Sequence, residues 1–339
     1  MYLVTNNEQK EMPDIITEMI NIIDDVDQYT RNRSEMGGLD WGMECFNDAF
    51  EGLNPGMHLI AGAPNTGKSC LCLNMAWNIV KANKDTENPA YVLYMGLDDN
   101  TRELLPRIVA MDQRIPVSVV SKPRKYAKIM NMQPALMRRE EGIKNLKENI
   151  PYFKIIDQSY APGINDIETI ERVIKRHIAE LKDINPNYKM VVFIDNFHNI
   201  NSEIGYYSDD KSKFNYISGQ IGEMCTLYDM PIICTAEVQK SQGAHRLITG
   251  AVREGYKIEY DAKVVMLCYN DVGMKGESAN LYWEQEGYNE KRPVLEVRIG
   301  KNKISAFKRT MFFEFVPEMS YIRQATPSGS IRYAQMIGG

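Results

Sequence analysis

Met57-His58-Leu59-Ile60-Ala61 runs directly into Gly62-Ala63-Pro64-Asn65-Thr66-Gly67-Lys68-Ser69, and Cys70 opens a helical run over residues 70–80. The middle segment is a complete G-x-x-x-x-G-K-[ST] pattern, and its flanks give that pattern its meaning. An apolar strand delivers the loop, glycines let backbone N–H groups turn inward, and the following helix adds its positive N-terminal end. A polyphosphate such as ATP would be bound there by dipoles and by the Lys68 ammonium, with the Ser69 hydroxyl on Mg²⁺. Residues 62–70 are therefore the candidate nucleotide contacts. The competing reading, an incidental glycine-rich turn, predicts neither the strand nor the helix.

Working outward, short apolar runs recur at residues 91–97, 152–156, 190–194 and 231–235, each flanked by helical stretches. Such runs read as parallel strands buried on both faces. Further runs at 263–269, 294–300 and 310–315 have little helix between them, which points to antiparallel pairs. The expected fold is α/β, a mostly parallel twisted sheet flanked by helices with an antiparallel C-terminal edge. Ahead of it, residues 12–29 repeat Ile15, Ile16, Met19, Ile22, Ile23 and Val26 at helical spacing, an amphipathic helix. Beyond Gln324, the cluster Pro327, Ser328, Gly329 and Ser330 reads as a flexible tail. The expected division is 1–34 for the N-terminal helix, 35–323 for one domain and 324–339 for the tail.

A phosphate loop needs a metal-binding acid at the end of a neighbouring buried strand, and the run 190–194 ends in Asp195. Alone, that Asp would read equally well as a turn or helix cap; beside the loop it reads as the Walker B carboxylate. The run 91–97 ends in Asp98 and Asp99. A carboxylate here could orient and polarise the water that attacks a γ-phosphate, the alternative being a solvated cap for the helix starting near Thr101.

Composition narrows the remaining choices. Across 339 residues, 40 Lys and Arg face 45 Asp and Glu, a formal charge of −5, so any nucleic-acid contact must use a local patch. The six cysteines form no C-x-x-C and the four histidines are scattered, which argues against a disulfide scaffold and a zinc module and fits a reducing, cytoplasmic setting. No apolar run approaches the roughly 18 residues that span a bilayer. Asn6, Glu8 and Lys10 do not suit a signal peptide, so neither secretion nor a membrane span is expected.

In this order the pieces resemble the RecA-like P-loop ATPases and, more closely, the C-terminal motor domain of DnaB-type replicative helicases, over residues 35–323. Gly37-Gly38-Leu39-Asp40-Trp41-Gly42 and Gly52-Leu53-Asn54-Pro55-Gly56 look like the family's lead-in to its phosphate loop. Leu97-Asp98 followed by Arg102, Leu104 and Arg107 resembles its second motif, whose catalytic residue is usually Glu; Asp98 is the inferred base, one methylene shorter. Cys234-Thr235-Ala236-Glu237-Val238-Gln239-Lys240 resembles the strand with the γ-phosphate-sensing Gln. Glu237 stands at that position, and Gln239 is a possible substitute on the same face. Arg253-Glu254-Gly255-Tyr256 is similar to the start of the loop that tracks single-stranded DNA, with Gly-Tyr where the family has Ser-Gly. Lys301-Asn302-Lys303 looks like the strand-end motif whose cations reach the neighbouring subunit's ATP site; the family usually has Lys-x-Arg, and RecA has Lys-x-Lys. A solvated basic edge is the competing reading of these lysines.

The resemblance implies an ATP- and Mg²⁺-dependent helicase motor that moves on single-stranded DNA, 5′ to 3′, as a homo-oligomeric ring of six. Lys68, Asp98, Glu237, Lys301 and Lys303 would be its catalytic residues, with Ser69 and Asp195 on the metal. Lys211, Lys213, Lys240, Arg246 and Arg253, with Glu254 and Gly255, are the DNA candidates, and Tyr206 or Tyr207 could stack on bases. Each competes with an ordinary exposed loop residue. The N-terminal helix would pack on the adjacent subunit or on its own domain. A primase or a loader is a further possible partner, and the length suits a minimal form lacking a primase-binding domain. Two other functions fit the same loop: a RecA-like recombinase filament and a KaiC-like regulatory ATPase.

Overall fold

Seven-residue runs without a charged side chain inside them can be buried on both faces, and three of these strands are fully buried in a computed structural model of the chain. The structure describes residues 15–31, 37–203, 207, 209–238, 245–252, 256–284 and 290–338. Among these, ten strands form one sheet. They are β1 Gly56–Gly62, β2 Ala90–Gly96, β3 Phe153–Ile156, β4 Lys189–Asp195, β5 Pro231–Glu237, β6 Val264–Asn270, β7 Tyr282–Trp283, β8 Arg292–Asn302, β9 Thr310–Val316 and β10 Tyr321–Gln324. Their spatial order is β10-β9-β8-β6-β1-β5-β4-β2-β3, with β7 on β8. The strands from β6 to β3 run parallel, and antiparallel pairing begins only at β8. The run near 263–269, expected to open the antiparallel edge, is thus an inner strand beside β1.

Helices cover both faces: α1 Ile15–Arg31, α2 Glu44–Phe50, α3 Lys68–Asn83, α4 Thr101–Gln113, α5 Val117–Ser121, α6 Pro123–Tyr126, α7 Gln133–Glu148, α8 Ile167–Ile184, α9 Asp210–Leu227, α10 Tyr256–Asp261, α11 Asp271–Lys275 and α12 Pro327–Gly338. On one face Leu71, Trp77, Leu104 and Ile108 of α3 and α4 pack with Trp41, Phe46, Phe153 and Phe313. On the other, Ile170, Ile174, Ile217 and Ile221 of α8 and α9 meet Leu59, Val192 and Ile232. No described helix is long and apolar enough to cross a membrane.

α3 is buried on nearly all sides, so the indole N–H of its Trp77 needs a partner. Trp77 Nε1–H donates to Asp112 Oδ1 at 2.8 Å from α4. Burial pushes the Asp112 carboxyl up, but hydrogen bonds from Trp77, Gln113 and Lys81 hold it below the usual carboxylate range. α4 itself starts on a capping box: Asn100 accepts from Arg102 and Glu103 N–H, and Glu103 accepts from Asn100 N–H. That cap fixes the turn carrying Asp98 and Asp99.

The expected N-terminal helix is present as α1, and the C-terminal segment differs from expectation. On α1, Met19, Ile22, Ile23 and Val26 are 47% to 58% exposed, so the chain's own domain does not cover the apolar face. The expected flexible tail is instead largely α12. Thr326-Pro327-Ser328-Gly329 is a helix start: Thr326 Oγ1 accepts from Gly329 N–H at 3.1 Å, and Pro327 occupies the first helical position. Tyr333 is buried against Phe312, with its hydroxyl donating to Glu314 Oε1 at 2.8 Å. Replacing Tyr333 with Ala should therefore cost about 3 kcal/mol in denaturant unfolding; an unchanged midpoint would show the tail is not docked.

Candidate functional site

Two glycines set the loop's shape. A Cβ on Gly62 would lie 2.9 Å from both Cys268 O and Thr66 Oγ1, so the end of β1 approaches β6 too closely for any other residue. Gly67, at φ 100°, makes the left-handed turn that starts α3 at Lys68. The first amides of α3, which lack partners within the helix, therefore belong to Lys68, Ser69 and Cys70, at the rim of a cavity of about 570 Å³. That volume is in the range of a nucleotide-sized ligand. Thr66 Oγ1–H and Lys68 Nζ both donate to Ala63 O, at 2.8 and 2.9 Å, which closes the loop on itself. Burial pulls the Lys68 ammonium below its ordinary value, opposed by Cys268, Asp195, Glu237 and Asp98.

The C-terminal ends of three neighbouring strands bring the acids to this cavity. Asp195 closes β4 and lies between β5 and β2. Thr235 Oγ1–H donates to its Oδ1 at 2.5 Å, and Tyr94 O–H to its Oδ2 at 2.9 Å. Each oxygen keeps a second lone pair for another ligand. The Asp195 carbonyl accepts from Leu97 and Asp98 N–H, at 2.7 and 3.2 Å, which places Asp98 beside it. Burial, then the charges of Asp99, Asp195 and Glu237, push the Asp98 carboxyl up, with Lys68 opposing. Ser69 and Asp195 line one cavity and offer a hydroxyl and a carboxylate, the oxygen donors that suit Mg²⁺.

Glu237 ends β5 in the same cavity, and its backbone N–H donates to His198 Nδ1 at 3.2 Å. Asp99 is paired with Arg107 Nη1 at 2.7 Å, and both line the cavity wall. Neither Arg107's pairing nor His198, Thr235 or Tyr94 follows from sequence reasoning. The contacts of His198, Thr235 and Tyr94 depend on which strand ends lie side by side, and that of Arg107 on how α4 leaves its cap. The alternation that puts Thr235 and Glu237 on one side of β5 is the only signal that could have suggested one of them.

Lys301 and Lys303 are elsewhere. Asn302 of β8 pairs with Val264 and Lys303 N–H donates to Lys263 O, at the start of β6, whereas Gly62 of the loop pairs with Cys268 at its other end. Five residues of strand separate the two levels, roughly 16 Å. Lys301 Nζ points further away, donating to the Glu259 and Tyr260 carbonyls at 2.8 and 2.5 Å. Burial and the neighbouring Lys303 charge lower Lys301 to about 8. Asn302 holds the turn rigid, donating to Ala49 O and accepting from Ile304 and Ser305 N–H.

The DNA candidates scatter. Lys211 is exposed in the first turn of α9, and Lys213 Nζ lies 4.6 Å over the Phe214 ring. Tyr207 packs on Tyr216, with ring centroids 5.8 Å apart. Arg246 is engaged rather than standing ready for a phosphate: its Nε bonds the buried Glu296 at 2.8 Å, over the Tyr269 ring. Tyr206, Gln239, Lys240, Arg253, Glu254 and Gly255 lie outside the described residues.

Comparison with known proteins bears on the family and the fold. The family model described as DnaB-like helicase C terminal domain matches residues 38–323. A probable replicative DNA helicase of Trieres chinensis is 24% identical over 248 residues, 72% of this chain and 50% of that protein. The replicative DNA helicase DnaB of Haemophilus influenzae is 22% identical over 299 residues, 85% of this chain and 56% of that protein. The chain thus spans about half the length of these curated relatives. Among solved structures, an isolated ATPase domain superposes with a TM-score of 0.72 at 16% identity, covering 93% of this chain and all of that one. A DnaB-like replicative helicase studied for its interactions with primase gives 0.70 at 16%, over 94% and 69%. On the family match and on the loop, acids and strand order that accompany it, this chain belongs to the DnaB-like helicase C-terminal domain family.

Proposed function

We propose that this chain is an ATP-hydrolysing DNA helicase motor that translocates on single-stranded DNA as a ring of six. The observation that carries the proposal is the separation of loop and lysines across β6. A subunit whose Lys301 and Lys303 lie at the far end of the sheet from its own loop supplies them to a neighbour, head to tail. Repeated contacts of that kind close into a ring where the rotation between copies closes and run on as a filament where it does not; the family match favours the ring. The exposed apolar face of α1 supports the same assembly, because it gives each copy a further surface to place on the next.

In this reading the Gly62–Gly67 turn and the amides of α3 cradle the phosphates and Lys68 neutralises them. Ser69 and Asp195 would hold Mg²⁺, which supplies positive charge to the phosphoryl oxygens. Asp98 accepts the proton of the attacking water, and Glu237 reports the phosphate end of the cavity to β5. The neighbour's lysines stabilise charge developing on the transferred group, as point charges rather than as a bidentate fork. Lys211 and Lys213, with the candidates outside the described residues, would hold the strand through salt-sensitive phosphate contacts. A primase or loader would be a partner of the assembled ring.

The test is strand displacement on forked DNA with and without ATP, together with ATP turnover with and without single-stranded DNA. ATP-dependent unwinding and DNA-stimulated turnover are expected, and Lys68→Ala should reduce both at least about 100-fold. Filaments that pair strands without unwinding would favour a recombinase, and turnover indifferent to DNA a regulatory ATPase. The charge cluster adds a pH prediction. Asp98 works ionised, and its pKa is raised, so turnover should fall as pH drops through a value above the usual carboxylate range. Asp99→Asn removes a like charge and frees the Arg107 cation, so this acidic limb should move to lower pH; an unmoved limb would take the base role away from Asp98.

A further inference from the structure

The short helical turn after Asp195 touches more of the site than its length suggests. Asn196 lines the nucleotide cavity, and its Oδ1 accepts from His198 N–H at 2.8 Å. Asn199 Nδ2–H donates to Leu97 O at 3.3 Å, one residue before Asp98. His198 Nδ1 accepts from the Glu237 backbone N–H, so the ring's proton sits on Nε2. The same ring stands edge-on to Phe214 of α9, with centroids 5.0 Å apart at 76°, and to Phe197 at 5.6 Å and 90°. Phe197 and Phe214 are buried. Above Phe214 lies the Lys213 ammonium, which also reaches Asn201 Oδ1 at 3.5 Å.

We propose that His198 is a positioning residue that ties the end of β5, and with it Glu237, to the first turn of α9, so that nucleotide state at Glu237 sets the placement of Lys211 and Lys213. The inference rests on the helicase reading and adds to it a specific mechanical link. The physical case is that the ring is held on both sides. Its acceptor nitrogen follows the backbone of Glu237, and its edge is packed against a buried phenylalanine that cannot move without moving the helix that carries it. A shift of β5 when a γ-phosphate arrives or leaves therefore displaces the imidazole, and the imidazole displaces Phe214. The contact to Asn196 anchors the turn at the metal-binding strand, so motion is directed to α9 rather than lost in the turn. His198 does not line the nucleotide cavity, which separates its role from that of Asp98 or Lys68.

Two substitutions divide the roles of acceptor and packing. His198→Phe keeps an aromatic ring against Phe214 and removes the imidazole acceptor of the Glu237 N–H. His198→Asn places an amide oxygen near the Nδ1 position and keeps the acceptor. Turnover would be measured over a range of ATP concentrations, with and without single-stranded DNA, on the full chain. In His198→Phe the stimulation by DNA should fall about ten-fold, while basal turnover and the KM for ATP stay within about two-fold. His198→Asn should recover part of the stimulation. Phe214→Leu, which thins the contact from the helix side, should reproduce the loss and serves if His198→Phe does not fold. Full stimulation in both His198→Phe and Phe214→Leu, or equal losses of basal and stimulated turnover, would overturn the link. A wild-type protein that DNA does not stimulate would instead contradict the helicase reading on which the link depends.

Discussion

Strand direction is the constraint from which the rest of this structure follows. β1 and β6 are parallel, so their C-terminal ends, with the phosphate loop, face one side of the sheet, and their N-terminal ends face the other. β8 returns antiparallel along β6 and delivers Lys301 and Lys303 to that other side. In the proposed assembly, anything the lysines do for a bound phosphate crosses from one copy to the next, so that two half-sites of the fold are reunited by assembly.

The loop's half-site is itself an electrostatic compromise. Lys68 is buried among Asp98, Asp195 and Glu237, and their charges sustain its ammonium against desolvation. Burial first, and then the same proximity, raises Asp98, because carboxylates that share a small cavity disfavour one another's ionisation. Asp99 would add to the excess, but Arg107 takes it up in an ion pair. A polyanion entering such a cavity needs further positive charge. A cation on Ser69 and Asp195 would provide part of it, and a neighbour's lysines the rest.

Much of this is legible in the sequence itself, for physical reasons. The glycines of the loop stand where backbone must turn left-handed or approach another strand, and only glycine does both without cost. Buried parallel strands announce themselves as apolar runs, and their terminal acids are conspicuous because a carboxylate at the end of such a run must have a reason to be there. The features that stay hidden depend on register between distant strands. Thr235 and Tyr94 hold Asp195 only because β5, β4 and β2 lie side by side, with Cys234 level with Ile194 and Tyr94 level with Phe193, two residues before Asp195. Arg246 reads as a loop cation because its partner, Glu296, lies fifty residues later and is brought to it by β8. The C-terminal segment is ambiguous for a different reason: Pro, Ser and Gly together suit a flexible chain, but Thr-Pro-Ser-Gly after a strand is also the way a helix begins.

The most direct test of the two-half-site account is subunit mixing. Lys68→Ala removes the loop's cation and Lys303→Ala the far lysine, and each variant alone should be inactive in DNA-stimulated ATP turnover. Mixed in equal amounts and allowed to reassemble, they should recover about a quarter of wild-type turnover, because one interface in four joins an intact loop to an intact lysine. If the mixture stays as inactive as its parts while forming mixed assemblies, or if Lys303→Ala is fully active alone, the lysines do not serve a neighbour's site and the account is wrong.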